Sequence, residues 1–430
     1  MSRSAGTRLR LLAVAIGLAL LAAAIAACGQ QAGSGPSAAL PASAATSVPT
    51  TMVATDTPTA TLAAPATTPA PTLQAVTSTP APTMVIATGT AAPSSLTVTD
   101  MLGRTVTVPA AVDKIACAGP GALRLIVYLQ AQNKVIGVED AEKNWGVTGR
   151  PYIMAHPELK ELPSIGPGGP GKLPDADALV KLNPQVLFLT YVDARTADNI
   201  QEKTKVPVVV LAYGDDPFGK ELFGSLRLAG SILGAEGRAE SVVTYISQAL
   251  ADLTARTEGI ADADKPSAYV GCVGYAGAHG IESTQAKFAP LAVVHAKNVA
   301  DELGTGHQTV DREKLLQWDP EVIFIDEGGL ELLQQDYGKN ADFYRSLAAV
   351  KAGKVYGLLP YNYYTTNVET ALADSYFAGT VLYPDQFKDV EAAKKADEIY
   401  NFFVGKAEYE EMRQAYGGFG KLDMATGRVE

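Results

Sequence analysis

The chain is short of cysteine, of aromatics and of positive charge, and each shortage excludes something. Only three cysteines, Cys28, Cys117 and Cys272, occur in 430 residues, too few for a disulfide framework. Cys117 and Cys272 lie inside apolar, strand-like runs, KIACAG and YVGCVG, so they read as small buried thiols rather than a disulfide or metal pair. Acids outnumber bases by 46 to 35, which argues against nucleic acid and against an anionic membrane surface as partners. GxSxG, HExxH, P-loop and CxxC patterns are all missing, so no enzyme signature is present. Aromatics make up 7% of the chain, which makes LPYNYYTTN, Leu359 to Asn367, with three tyrosines in four positions, a local concentration.

The ends set the expected compartment. Arg3, Arg8 and Arg10 precede an apolar run, Leu11 to Ala27, that stops at small residues before Cys28. A basic segment, an apolar segment and small residues before a cysteine form a lipoprotein leader, residues 1–27, with Cys28 as the acylated N-terminus. The other reading is a transmembrane anchor, for which 17 residues is the short limit. Residues 28–95 are then Ala, Thr, Ser and Pro with a single charge, Asp56, and no sustained period. Such a segment cannot offset the entropy of ordering and reads as a disordered tether, roughly 45 Å across as coil and on the order of 200 Å stretched. Without the leader's arginines the net charge moves from −11 to −14, of which −13 falls on residues 96–430.

Those last residues read as an α/β protein of two lobes. LTVTDMLGRTVTVP, from Leu96, is a hairpin pattern around Leu102 and Gly103. Lys114–Ala118 is a short strand ending in Gly119-Pro120-Gly121. A helix pattern with Leu123, Val127 and Tyr128 follows, then a second strand, Lys134–Val138. Strand, helix, strand implies a parallel sheet. Asp177 to Leu189 is echoed by Glu313 to Ile325 at an offset of 136, each copy a short amphipathic helix, a stop at Asn/Asp-Pro and a buried strand. So long a period indicates duplicated lobes. Between the copies, Val242, Val243, Ile246, Ala249, Leu250 and Leu253 mark a helix long enough to bridge two lobes. The expected division is a first lobe at 96–235, a linking helix at 236–258 and a second lobe at 259–430.

The DxxGRxVxVP opening (Asp100 to Pro109), the paired x-Pro-x-Val units at Pro184 and Pro320, and the long linking helix together resemble an ABC-importer substrate-binding lipoprotein. The likeness is to the class that binds ferric siderophores, haem and cobalamin, with molybdate or tungstate binders among its relatives. It covers residues 96–430. It implies two α/β lobes with parallel sheets joined by one rigid helix, a cleft between them, a monomer anchored by lipid on the outer face of the membrane, and an ABC permease dimer with its ATPase as partner. No cofactor is expected beyond the bound ligand. In this family one carboxylate on each lobe meets arginines on the permease, and Asp177 and Glu313 fall at that place.

Ligands of open α/β sheets lie beyond the carboxyl ends of the strands. That rule gives Gly121, Arg124, Glu139, Gly166, Gly168 and Tyr191 on the first lobe. On the second it gives Tyr275, His279, His307, Glu327, Tyr361, Asn362 and Tyr363. The glycine turns can offer backbone N–H groups to an anion, or serve only as turns. Hard oxygen donors from the tyrosines and Glu327 suit bare iron, whereas aromatic faces suit an organic shell. The preferred expectation is a chelated metal, foremost a ferric siderophore-type complex. The alternatives are haem or cobalamin, a molybdate or tungstate oxyanion, a cell-surface enzyme acting on metal complexes, and an adhesin.

Overall fold

The computed structural model describes residues 94–430, so the leader, Cys28 and all but the end of the tether lie outside the described residues. Strand β1 (Ser95–Thr99) begins at the last residue assigned to the tether and pairs antiparallel with β2 (Thr105–Pro109). The Asp-x-x-Gly-Arg opening now has a physical account. The buried Asp100 carboxylate accepts the Leu102 and Arg104 N–H groups and pairs with the Arg104 guanidinium at 2.9 Å, while Gly103 supplies the positive φ of the turn. Asp100 also accepts the Val210 N–H, which ties the hairpin to the first lobe.

The first lobe holds a parallel sheet in the order β4–β3–β5–β6, from β3 (Ile115–Ala118), β4 (Val135–Gly137), β5 (Val186–Leu189) and β6 (Val208–Val210). Strands β3, β5 and β6 are buried at every position, as a sheet covered on both faces requires. Helix α1 (Ala122–Tyr128) follows β3, and α2 (Ala176–Leu182) leads into β5. Helix α3 (Glu236–Thr257) then runs 22 residues, about 33 Å.

The second lobe has a six-stranded sheet in the order β14–β13–β12–β11–β7–β9. Strands β7 (Ser267–Gly271), β9 (Lys297–Asn298), β11 (Val322–Asp326) and β12 (Val355–Leu358) are parallel. Strands β13 (Gly420–Asp423) and β14 (Arg428–Val429) close the edge antiparallel. Strands β8 (Ser283–Ala286) and β10 (Gly306–Thr309) form a separate antiparallel pair.

The repeat is the same local structure built twice. Helix α2 is capped by the Asp175 side chain, and its counterpart α4 (Arg312–Trp318) by Asp311. Each ends on a left-handed residue, Asn183 at φ 52° and Asp319 at φ 37°, just before a proline that cannot continue the helix. The Asn/Asp-Pro stop is therefore a C-cap. Inside it, Leu179 and Leu315 are both buried.

One hydrophobic core runs through both lobes. It joins Val106, Ile115 and Phe188 to Val242, Ile246 and Leu253 of α3, and onward to Phe324 and Leu358. Helix α5 (Val368–Leu382) and helix α6 (Ala392–Val404) belong to it, and α6 returns to the first lobe, where Phe403 meets Tyr128 edge-on at 4.9 Å. Cys117 and Cys272 are buried free thiols. No helix among the described residues is long and apolar enough to cross a membrane.

Candidate ligand-binding site

Two of the first-lobe strands, β3 and β5, end on turns at positive φ. After β3, Gly119 and Gly121 have φ of 83° and 77°. A Cβ on Gly121 would come within 2.4 Å of Thr365 Cγ2 and 2.6 Å of the Tyr213 hydroxyl. After β4, the buried Glu139 accepts the Gly119 N–H at 3.0 Å. After β5, Tyr191 turns at φ 54° and leaves its ring 62% exposed. Gly168 lies so close that a Cβ there would meet that of Glu139 at 2.7 Å.

Into this setting the second lobe inserts the tyrosine-rich stretch that follows β12. The Tyr363 N–H bonds the Thr365 carbonyl at 3.1 Å and the Asn367 N–H bonds that of Tyr361 at 2.7 Å, so the segment folds on itself. Its tip holds two successive non-glycine residues at positive φ, Tyr364 at 54° and Thr365 at 67°, each costing about 1–2 kcal/mol. The surroundings hold them there. The Tyr364 hydroxyl donates to Glu139 Oε2 at 2.6 Å and accepts the Gly169 N–H at 2.9 Å, with its ring edge-on to Trp145 at 5.1 Å. Thr365 Oγ1 lies 2.6 Å from the Tyr191 hydroxyl. The wholly buried Arg124 guanidinium rests 4.7 Å from the centre of the Tyr152 ring and donates to the carbonyls of Tyr363, Tyr364 and Thr366 at 2.8, 3.2 and 3.0 Å.

A second cluster belongs to the second lobe. Tyr275, 61% exposed, stacks on His307 at 4.4 Å, and His279 lies 5.8 Å from His307. His279 Nε2 meets the Tyr275 carbonyl at 2.6 Å, and His307 Nε2 meets the Ser283 hydroxyl at 2.9 Å. Partial burial and the neighbouring His279 hold His307 below the usual imidazole range. The buried Asp326 braces this loop by accepting the Gly274 N–H at 3.1 Å.

The structure thus brings Gly121, Arg124, Glu139, Gly168 and Tyr191 around one inserted segment, to which Tyr363 itself belongs. It groups Tyr275, His279 and His307 nearby, since a Cβ on Gly274 would lie 3.9 Å from the Asn362 carbonyl. Three expected residues sit elsewhere. Tyr361 is buried in the shared core, 5.4 Å from Phe288. Glu327 points away from Asp326, into the space by Gly357 and Gly417, and accepts the Gly418 N–H. Gly166 packs on the backbone of Pro174 and Asp175. Tyr364 and Thr365 lie inside the Leu359 to Asn367 stretch singled out in the sequence, whereas Trp145 stands past the short helix that follows Glu139, where the strand-end rule does not reach. Among the described residues no group of three or more His, Cys, Asp or Glu is placed to hold a metal ion.

Burial makes two of these acids reluctant to ionise. Loss of hydration lifts Glu139 to about 7, against the opposing bonds from Tyr364 and Gly119, and lifts Asp326 to about 6. A raised carboxyl contributes stability that is fully present below its unfolded value and is lost as pH rises through its folded value. The protein should therefore melt at a higher temperature near about pH 5 than near about pH 8. Glu139→Gln, neutral throughout, should flatten that slope. An unchanged slope in the variant's melting curves would remove Glu139 as its source.

Comparison with known proteins agrees with this architecture. Residues 115–361 match the family described as periplasmic binding protein. The chain is 25% identical over 332 residues to the molybdate-binding protein MolA of Haemophilus influenzae, covering 71% of this chain and 90% of that one. It is 21% identical over 295 residues to an uncharacterized ABC transporter substrate-binding lipoprotein, YvrC, of Bacillus subtilis, covering 68% and 87%. Among solved structures, MolA bound to molybdate superposes with a TM-score of 0.58 at 20% identity, over 73% of this chain and 98% of that one. A periplasmic solute binding protein from Veillonella parvula does so at 0.61 and 18%, over 75% and 96%. With the family matched across more than half of its length, through both lobes and the linking helix, this chain belongs to the periplasmic binding proteins.

Proposed function

We propose that this chain, as the substrate-binding component of an ABC importer, captures a metal held in an organic chelate, foremost a ferric siderophore-type complex. The observation that carries this reading is where the aromatics face solvent. Three aromatic side chains are exposed among the described residues: Tyr191 and Tyr275 on the loops just past β5 and β7, and Trp145 edge-on to Tyr364 at the end of the short helix that follows Glu139. Exposed rings at a site's mouth match an organic shell, which offers apolar faces and hydrogen-bonding edges together. The paired His279 and His307 add imidazoles whose ring nitrogens can hydrogen-bond that shell or fill an open position on its metal. A lipid on Cys28, read by mass spectrometry of membrane-extracted protein, belongs to the same proposal.

MolA favours a second reading, an oxyanion. An oxyanion needs free N–H donors and no nearby carboxylate. Here the Gly119 N–H is already taken within the first lobe by the Glu139 carboxylate, an acid standing at the same strand ends. Native mass spectrometry and titration with a ferric trihydroxamate, a ferric tris-catecholate and molybdate separate the two readings. The expected result is that a ferric chelate binds and molybdate does not. Tyr275→Ala with His307→Ala should weaken that binding about tenfold, or 1.4 kcal/mol. Tight molybdate binding with no ferric binding would replace this reading with the oxyanion one.

A further inference from the structure

We propose that residues 363–366 are an internal stand-in for the ligand. They form a strap from the second lobe that fills the first lobe's half of the site and yields to a chelate whose carbonyl oxygens and hydrogen donors take over its contacts. This rests on the metal-chelate reading above.

The contacts point that way because of what they occupy. Arg124, Glu139, Gly121 and Tyr191 stand at first-lobe strand ends, where this fold presents its ligand, and all four are engaged by the strap. The occupancy is incomplete. Glu139 Oε1 and Arg124 Nε are buried and have no hydrogen-bond partner among the described residues. A fixed structural loop leaves few such atoms unmet. A ligand bringing one more donor and one more acceptor than the strap would satisfy both.

Strain supplies the second argument. Of the non-glycine residues at positive φ, Asn183, Lys205 and Asp319 end helices, whereas Tyr364 and Thr365 follow one another at the tip of the strap. Thr365 is β-branched, the type least suited to that region. Backbone held in this way by its surroundings is released when those surroundings are claimed by something else.

The strap's chemistry also describes its replacement. It gives Arg124 amide carbonyls and gives Glu139 a hydroxyl hydrogen. A chelate with amide carbonyls and a free ammonium or hydroxyl group offers the same functions. Molybdate carries no hydrogen donor for Glu139 above neutral pH.

Two measurements on the full chain decide the matter. Without any ligand, hydrogen exchange should show the Tyr363 and Asn367 amides opening at least about a hundredfold faster than the Leu187 and Leu189 amides of β5. Equal protection would mean that the segment opens only with the whole fold, and would overturn the strap. The second measurement uses a ferric trihydroxamate with amide carbonyls and a terminal ammonium. Tyr364→Phe deletes both bonds of the strap's hydroxyl, so affinity for this probe should rise about threefold, by roughly 0.6 kcal/mol. A fall in affinity would make Tyr364 an ordinary ligand contact and overturn the proposal. Failure of the probe to bind either protein would count against the chelate reading, and the exchange result would still decide the strap.

Discussion

Replacing Asp177 and Glu313 together by alanine should abolish uptake while leaving ligand affinity within about twofold, because neither acid touches the site. The two carboxylates stand at the same position of the repeated unit, second in helices α2 and α4, behind the capping Asp175 and Asp311. Both are exposed, and among the described residues neither enters an ion pair. Three residues further on, each helix exposes an apolar side chain, Val180 at 53% and Leu316 at 42%. Each lobe therefore offers an acid and an apolar neighbour on one short helix, a pattern suited to a partner with two equivalent subunits. The resemblance to ABC-importer binding proteins implies arginines on the permease opposite these acids. A charge that becomes buried in an interface is worth about 2–5 kcal/mol when its partner is truncated, and here two are lost. Transport assays in vesicles, with the transporter's ATPase stimulation as a second readout, check this. Uptake at the wild-type rate would leave both acids as ordinary first-turn residues favoured by the helix dipole.

The second large effect concerns stability. Glu142→Ala should cost about 3–5 kcal/mol, because it leaves the Arg150 guanidinium buried without its carboxylate. Glu142 and Arg150 are nearly inaccessible to water. The Tyr152 hydroxyl reaches both Glu142 oxygens at 3.0 and 2.8 Å, and Arg150 also donates to the carbonyls of Trp145 and Gly146. This network sets the backbone from which Trp145 projects, so its loss should reach the site as well as the melting point. The midpoint should fall by roughly 4–7 °C. Removing both charges, as in Glu142→Leu with Arg150→Met, should recover most of the loss. A single-variant loss below about 1 kcal/mol would mean that water already reaches the pair.

How far the sequence led depended on whether a feature was local. The hairpin at Asp100, the repeated helix-stop-strand and the linking helix each carry their own signal in caps, prolines and apolar period. Site residues carry no such signal. Asp326 and Glu327 are adjacent acids at one strand end, and successive side chains point to opposite sides, so composition could not say which braces the loop by Gly274. The tyrosine stretch shows the same limit. Tyr361 enters the core and Tyr364 reaches across to Glu139, a choice fixed by two left-handed residues that no propensity predicts. Arg124 reads in sequence as a cation for a ligand; in the fold its charge is spread over three carbonyls of the other lobe.

The core shared by both lobes has a kinetic meaning for the importer. Jaws that swing apart would tell the membrane machinery whether they are full. Two lobes fused through one packed interior, with α6 of the second lying on α1 of the first, have little freedom to do so. Loaded and empty molecules then present nearly the same face to the transporter, and a partner that meets both equally is not biased by cargo. Empty copies become competitors. Import should pass through a maximum as this protein becomes more abundant than its cargo, and the ratio of receptor to permease becomes a quantity the cell must control.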